Sequence, residues 1–151
     1  MLKRTLLVIF LALALVGCGP QTWVDQHGKR IEQQSLTSRW LVINYWAEWC
    51  GPCREELPEL NALSIERPDV AVVGINFDGL KGEQLREVSG MMNIRFPVLD
   101  GEFATALGAA KPSVLPTTYI IAPGGERMIA LQGPQSAESL LASIDQAQAQ
   151  P

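Results

Sequence analysis

The segment from Trp40 to Cys53 constrains the fold more than any other. Trp40-Leu41-Val42-Ile43-Asn44-Tyr45-Trp46 is β-prone and apolar at almost every position, and it runs through Ala47-Glu48-Trp49 directly into Cys50-Gly51-Pro52-Cys53. A strand whose successive residues are all apolar is buried on both faces, which requires a sheet covered by helices on each side. After Cys53 the pattern turns helical to about residue 66, and residues 70–76 form a second apolar run of the same kind. Residues 77–113 are an excursion, with helical character at 82–92, a short strand at 96–99 and a helical turn or two at 102–107. A strand at 117–122, the turn Pro123-Gly124-Gly125 and an antiparallel return at 127–132 follow. Ser136 caps a closing helix with Glu138 in its first turn and Leu140, Leu141 and Ile144 on its apolar side, and the tail from residue 147 frays. Near the start, residues 23–25 and 29–31 flank a turn at Gly28 and read as a small hairpin, with His27 a solvated turn residue. The order β-α-β, insertion, β-β-α predicts one α/β domain.

The first residues read differently. Lys3 and Arg4 precede an unbroken apolar run of 11 residues, 6–16. A membrane-spanning helix needs about 20 such residues, whereas a secretory h-region is this short. Leu15-Val16-Gly17-Cys18 resembles the lipobox of bacterial lipoproteins. That resemblance implies a signal peptide at 1–17, cleavage before Cys18, lipid on the Cys18 sulfur, a lipidated tether at 18–22 and a folded domain at 23–151. A short transmembrane helix, or a secreted protein with a free Cys18, is the competing reading. Loss of the leader removes Lys3 and Arg4 and no acid, leaving 10 basic and 16 acidic residues, a net charge of −6. No basic stripe remains to hold nucleic acid, and membrane contact is expected from the acyl chains alone.

With Cys18 set aside, two of the three cysteines remain, Cys50 and Cys53. A pair this close closes almost no loop, so it adds little chain-entropy stabilisation, and its use is expected to be chemical. Cys50 falls where the strand becomes a helix. Unpaired N–H groups and the positive end of the helix dipole there favour a thiolate, lowering the thiol pKa from about 8.5 toward 7 or below. Pro52 suits the first helical turn, where its missing N–H costs nothing. Cys53, Leu57, Leu60 and Ser64 share one helical stripe beside Leu63, so Cys53 is expected to be recessed and Cys50 exposed. The asymmetry makes Cys50 the attacking sulfur and Cys53 the resolving one. Covalent haem attachment would need His after Cys53, where Arg54 stands, and a zinc site lacks ligands because His27 is the only histidine. No metal is expected. An inert structural disulfide stays open.

Tyr45-Trp46-Ala47-Glu48-Trp49-Cys50-Gly51-Pro52-Cys53 resembles the active-site segment of thioredoxin, and Arg54-Glu55-Glu56-Leu57-Pro58 resembles the extracytoplasmic TlpA/ResA group. The likeness runs from about Trp23 to the closing helix. It implies a thioredoxin fold, a central mixed sheet with helices on both faces and an insertion between the second strand and the cis-proline strand. It also implies a thiol–disulfide oxidoreductase whose only redox group is the Cys50–Cys53 disulfide. Leu115-Pro116-Thr117 matches the family's cis-proline segment; with Trp49, Gly51 and Pro52 it is expected to bind substrate, Leu115 offering backbone groups to a substrate strand. Pro58 is expected to kink the active-site helix near Arg54, and Trp46 to be core.

Asn44 stands six residues before Cys50, where thioredoxin carries a buried acid, and an amide is no general base. Glu56, three residues after Cys53, is therefore the candidate for moving the Cys53 proton, against the plainer reading of an exposed helix acid like Glu55 and Glu59. Asp78 and Asp100 read as loop acids. The Gly51-Pro52 dipeptide matches thioredoxin, a reductant near about −270 mV, so a reductant of envelope proteins recharged by a membrane-embedded thiol carrier is expected. The anchor is placed on the periplasmic face of the inner or the outer membrane. Three alternatives remain. A branch of the family reduces apocytochrome c but often carries Pro-Glu where this chain has Pro116-Thr117. A peroxiredoxin-like peroxidase would want Thr three residues before the nucleophile, where Ala47 stands. The last is a non-enzymatic binding lipoprotein.

Overall fold

The computed structural model describes residues 19–149; the expected signal peptide and Cys18 lie outside the described residues. Strands β3 (Trp40–Trp46), β4 (Val70–Asn76), β5 (Val98–Leu99), β6 (Thr117–Ile121) and β7 (Met128–Gln132) form one mixed sheet in the order β5-β4-β3-β6-β7. β3, β4 and β5 run parallel, and β6 and β7 are antiparallel additions. Every residue of β3 and β4 is buried, as two-sided coverage demands.

Alternation sorts these strands into two cores. Trp40, Val42 and Trp46 face α2 (Gly51–Glu66), α3 (Gly82–Met91) and α5 (Ala137–Gln148), packing with Leu57, Leu60, Val88, Leu140 and Ile144. Leu41, Ile43 and Tyr45 face the other way, with Leu36 of α1 (Gln33–Thr37) and Phe103 of α4 (Gly101–Ala106). Each large side chain fully buried in this way contributes about 1.5–3 kcal/mol relative to exposure. Gly74 of β4 is required by that packing. A Cβ there would lie 3.0 Å from Trp46 Nε1, 3.1 Å from Phe96 and 3.2 Å from Val98.

β1 (Thr22–Val24) and β2 (Arg30–Glu32) form the expected hairpin as a separate two-stranded sheet. Its turn has a use that local pattern did not suggest. Gln26 is buried, donating to the Phe96 carbonyl at 3.1 Å and accepting from Val98 N at 2.7 Å, so an amide side chain covers the open edge of β5. The expected strand at 96–99 shrinks to Val98–Leu99, since Pro97 has no N–H to give a ladder. Helix α1 was not anticipated. Helix α2 carries Pro58 in its interior and continues to Glu66. Ser136 caps α5, its side chain accepting from Ser139 N.

Candidate active site

The site lies at the carboxyl end of β3. Cys50 is the N-cap of α2, with extended φ −85° and ψ 102°, and its sulfur accepts the Cys53 N–H at 3.2 Å. Pro52 sits in the first turn. The two cysteines are joined in a disulfide with Cα atoms 5.3 Å apart. The amide that meets the Cys50 sulfur is one of the four that a helix start leaves unpaired.

One expectation is corrected. Cys53 is fully buried as foreseen, but Cys50 is only 5% exposed instead of open to solvent. With its sulfur turned back onto Cys53, Cys50 packs in the cluster of Trp46, Ala47 and Leu57, and Leu115 packs against the same cluster. Exposure at the site belongs to Trp49, at 65%. Gly51 and Pro52 are exposed beside it.

Trp49 is not loose. Its Nε1 donates to Asp78 Oδ2 at 2.9 Å, and its ring meets Phe77 edge-on at 6.1 Å. Lys111 Nζ lies 4.0 Å from the centre of the Phe77 ring. Asp78, read from sequence as a plain loop acid, thus anchors the indole. Asp100 instead caps α4 and pairs with Lys81 at 2.7 Å, which holds its carboxyl below the usual range.

The Leu115–Pro116 peptide is cis. Thr117 pairs with Tyr45 in the sheet, so Pro116 stands at the same end of the sheet as Ala47 and Cys50. Thr117 is buried, its hydroxyl donating to the Val114 carbonyl at 2.8 Å, and Leu115 is half-buried. The Pro116 carbonyl accepts from Gly133 N at 2.9 Å.

Glu56 is buried, as the candidate reading requires, and not an exposed helix acid. It is 1% exposed, on the buried side of α2 with Cys53, whereas Glu55 and Glu59 are exposed. Asn44 Nδ2 donates to its Oε1 at 2.6 Å and Gln135 N donates to its Oε2 at 2.9 Å. Asn44 Nδ2 also reaches Thr118 Oγ1 at 3.0 Å. Burial pushes the Glu56 carboxyl up, the Gln135 and Asn44 hydrogen bonds pull it back, and it ends at about 7. A group with that value exchanges protons readily at neutral pH. The Gln135 contact had no signal in the sequence, because the donor is a backbone amide.

Among the described residues no group of three or more His, Cys, Asp or Glu is placed to hold a metal ion. Arg54 directs its guanidinium to the Glu48 carbonyl, and Ala47 is buried.

A mixed sheet clothed by helices and a close cysteine pair at the start of the first long helix define a thioredoxin-fold protein. The chain belongs to the AhpC/TSA family, whose model it matches over residues 18–126. It is 33% identical over 107 residues to the thiol-disulfide oxidoreductase ResA of Bacillus subtilis (strain 168), covering 68% of this chain and 58% of that protein. To a ResA of Bacillus cereus it is 28% identical over 117 residues, covering 77% of this chain and 68% of that protein. Its fold matches a crystal structure of a thiol:disulfide interchange protein of the thioredoxin family from Chlorobium tepidum TLS. That match has a TM-score of 0.68 at 22% identity over 87% of this chain and 99% of the other.

Proposed function

We propose that this chain is a thiol–disulfide oxidoreductase that reduces disulfides of other envelope proteins through Cys50 and Cys53. The observation that carries the reading is the placement of the pair. Cys50 caps α2 with its sulfur on a free helix amide, while Cys53 lies buried behind it with Glu56 on the same side of the helix.

In the reduced chain, Cys50 as thiolate attacks one sulfur of a substrate disulfide. A new S–S bond forms to Cys50, the substrate S–S bond breaks, and its electron pair leaves on the second substrate sulfur. Cys53 then gives its proton to Glu56 and attacks the Cys50 sulfur. The substrate's first sulfur departs as a thiolate, and the Cys50–Cys53 disulfide remains. Two electrons pass from the dithiol to the substrate. Leu115 offers backbone groups for a substrate strand beside cis-Pro116 and Thr117, and Trp49, Gly51 and Pro52 supply the exposed contact surface. No cofactor beyond the cysteine pair takes part. A membrane-embedded thiol carrier returns the electrons.

The setting is extracytoplasmic, with a lipid on Cys18 holding the domain to the cell envelope. No helix among the described residues is long and apolar enough to cross a membrane. The intact mass of the mature protein tests the anchor: an unmodified Cys18 thiol refutes it. Reduction of insulin disulfides by the dithiol form tests the chemistry. It is expected in the wild type and absent in Cys50→Ser; an equal rate in the two refutes the reading. Cys53→Ala should stall the mixed disulfide and capture the client.

A further inference from the structure

We propose that residues 133–135 form a positioning strap that holds the Glu56 carboxylate and the cis-Pro116 peptide in one fixed relation. This rests on the reading of Glu56 as the proton acceptor of Cys53. The strap makes one backbone hydrogen bond to each partner: Gly133 N donates to the Pro116 carbonyl, and two residues later Gln135 N donates to Glu56 Oε2, both at 2.9 Å. Neither bond depends on a side chain of the strap, so substitutions in 133–135 that keep the backbone path keep the link.

The segment is stiffened from within and from behind. Gly133 has φ +84°, a conformation glycine adopts without the cost a Cβ would add. Gln135 Nε2 donates back to the Gly133 carbonyl at 3.0 Å, and Ser139 Oγ donates to Gln135 Oε1 at 3.1 Å. One turn along α2 from Glu56, Glu59 Oε2 accepts from Ala137 N at 3.1 Å. Two carboxylates of the active-site helix therefore hold the chain, Glu56 just before α5 and Glu59 at its first residue. Movement of the strap would have to break this second contact as well.

The consequence is chemical. The groups that hydrogen-bond Glu56 are Asn44 from β3, with Thr118 of β6 behind it, and Gln135 from the strap; Glu59 is engaged by Ala137. None of these is a cation. A buried carboxylate in that company stays ionisable at neutral pH only through the N–H groups aimed at it. Without the Gln135 amide, Glu56 would hold its proton more tightly at neutral pH, and a smaller fraction would be free to take one from Cys53.

Solution NMR of the oxidised full chain tests this directly. The Gln135 amide proton should titrate with a midpoint near the Glu56 value of about 7, and the titration should vanish in Glu56→Gln. In Gln135→Pro, which removes the N–H, the Glu56 carboxyl midpoint should rise by about one pH unit. Gln135→Ala, which keeps the N–H, should leave it within a few tenths of a unit of the wild type. A Gln135 amide flat from pH 5 to 9 in the wild type, or an unmoved Glu56 midpoint in a folded Gln135→Pro, overturns the strap. The wild-type titration decides the question if Gln135→Pro does not fold. If Glu56→Gln leaves thiol reactivity untouched, the proton-acceptor reading fails on its own, and the amide titration still decides the strap.

Discussion

Asn44 and Glu56 are joined by a 2.6 Å hydrogen bond through the interior, from the middle of the central strand to the active-site helix. The amide takes the place where a buried acid would otherwise act, and it turns that place into a donor for an acid on the neighbouring element. In the proposed mechanism, proton handling behind the cysteine pair falls to α2 instead of β3, still within the core.

The buried Glu56 makes stability depend on pH with a definite sign. Its carboxyl sits at about 7 in the fold against an ordinary 4.5, so between those values the folded state binds more protons than the unfolded chain. Stability is highest below about 4.5 from this group, falls as pH rises, and levels off above 7. The shift corresponds to about 3 kcal/mol. Guanidinium denaturation of wild type and Glu56→Gln at pH 4 and pH 8 should show the wild type losing ground to the variant by roughly that amount. A gap independent of pH would show that Glu56 does not titrate as placed. In the same variant the Cys53 thiol should titrate at higher pH, and identical thiol curves would end its proton role.

Reactivity should separate the two cysteines once the disulfide is reduced. Cys50, at the helix start, should be alkylated at pH 7 at least about tenfold faster than Cys53, because the helix start favours its thiolate and it keeps 5% exposure where Cys53 has none. Peptide mapping after brief exposure to iodoacetamide measures the ratio. Equal labelling would leave the pair without a nucleophile.

Pro116→Ala should slow mixed-disulfide formation with a protein substrate by about tenfold or more, while the isolated Cys50 thiol keeps its reactivity toward a small alkylating agent. Leu115, next to Pro116, packs against the cluster that holds Cys50, so the change should fall on docking of a protein substrate and leave the thiol itself alone. Unchanged substrate kinetics would remove Pro116 from the site.

The redox potential separates reductant from oxidant. With Gly51-Pro52 between the cysteines, equilibrium with glutathione should place the pair below about −200 mV, whereas a value near that of DsbA, about −120 mV, would reverse the proposed direction.

Gly74→Ala should destabilise the fold by about 1–3 kcal/mol, since the added methyl meets Trp46, Phe96 and Val98 inside ordinary contact distance. Chemical denaturation measures it; a neutral result would mean the Trp46 ring can yield.

What the sequence by itself determined was what neighbours along the chain decide. The buried strands Trp40–Trp46 and Val70–Asn76, the cysteine pair at a helix start and the Ser136 cap were all legible, because alternation, proline placement and capping act within a few residues. Helix α1 escaped, being five residues long with one buried side chain and no capping side chain. The position of Glu56 three residues after Cys53 singled it out in the sequence, but tertiary structure alone decided what it touches. Glu56 and Gln135 are 79 positions apart, Trp49 and Asp78 are 29, and Gln26 meets Val98 across 72. In the first and third pairs one partner is a backbone amide, which every residue but proline carries and which therefore marks no position in a sequence. The burial of Cys50 was decided in the same way, by packing that brings Leu115 and the disulfide into one cluster.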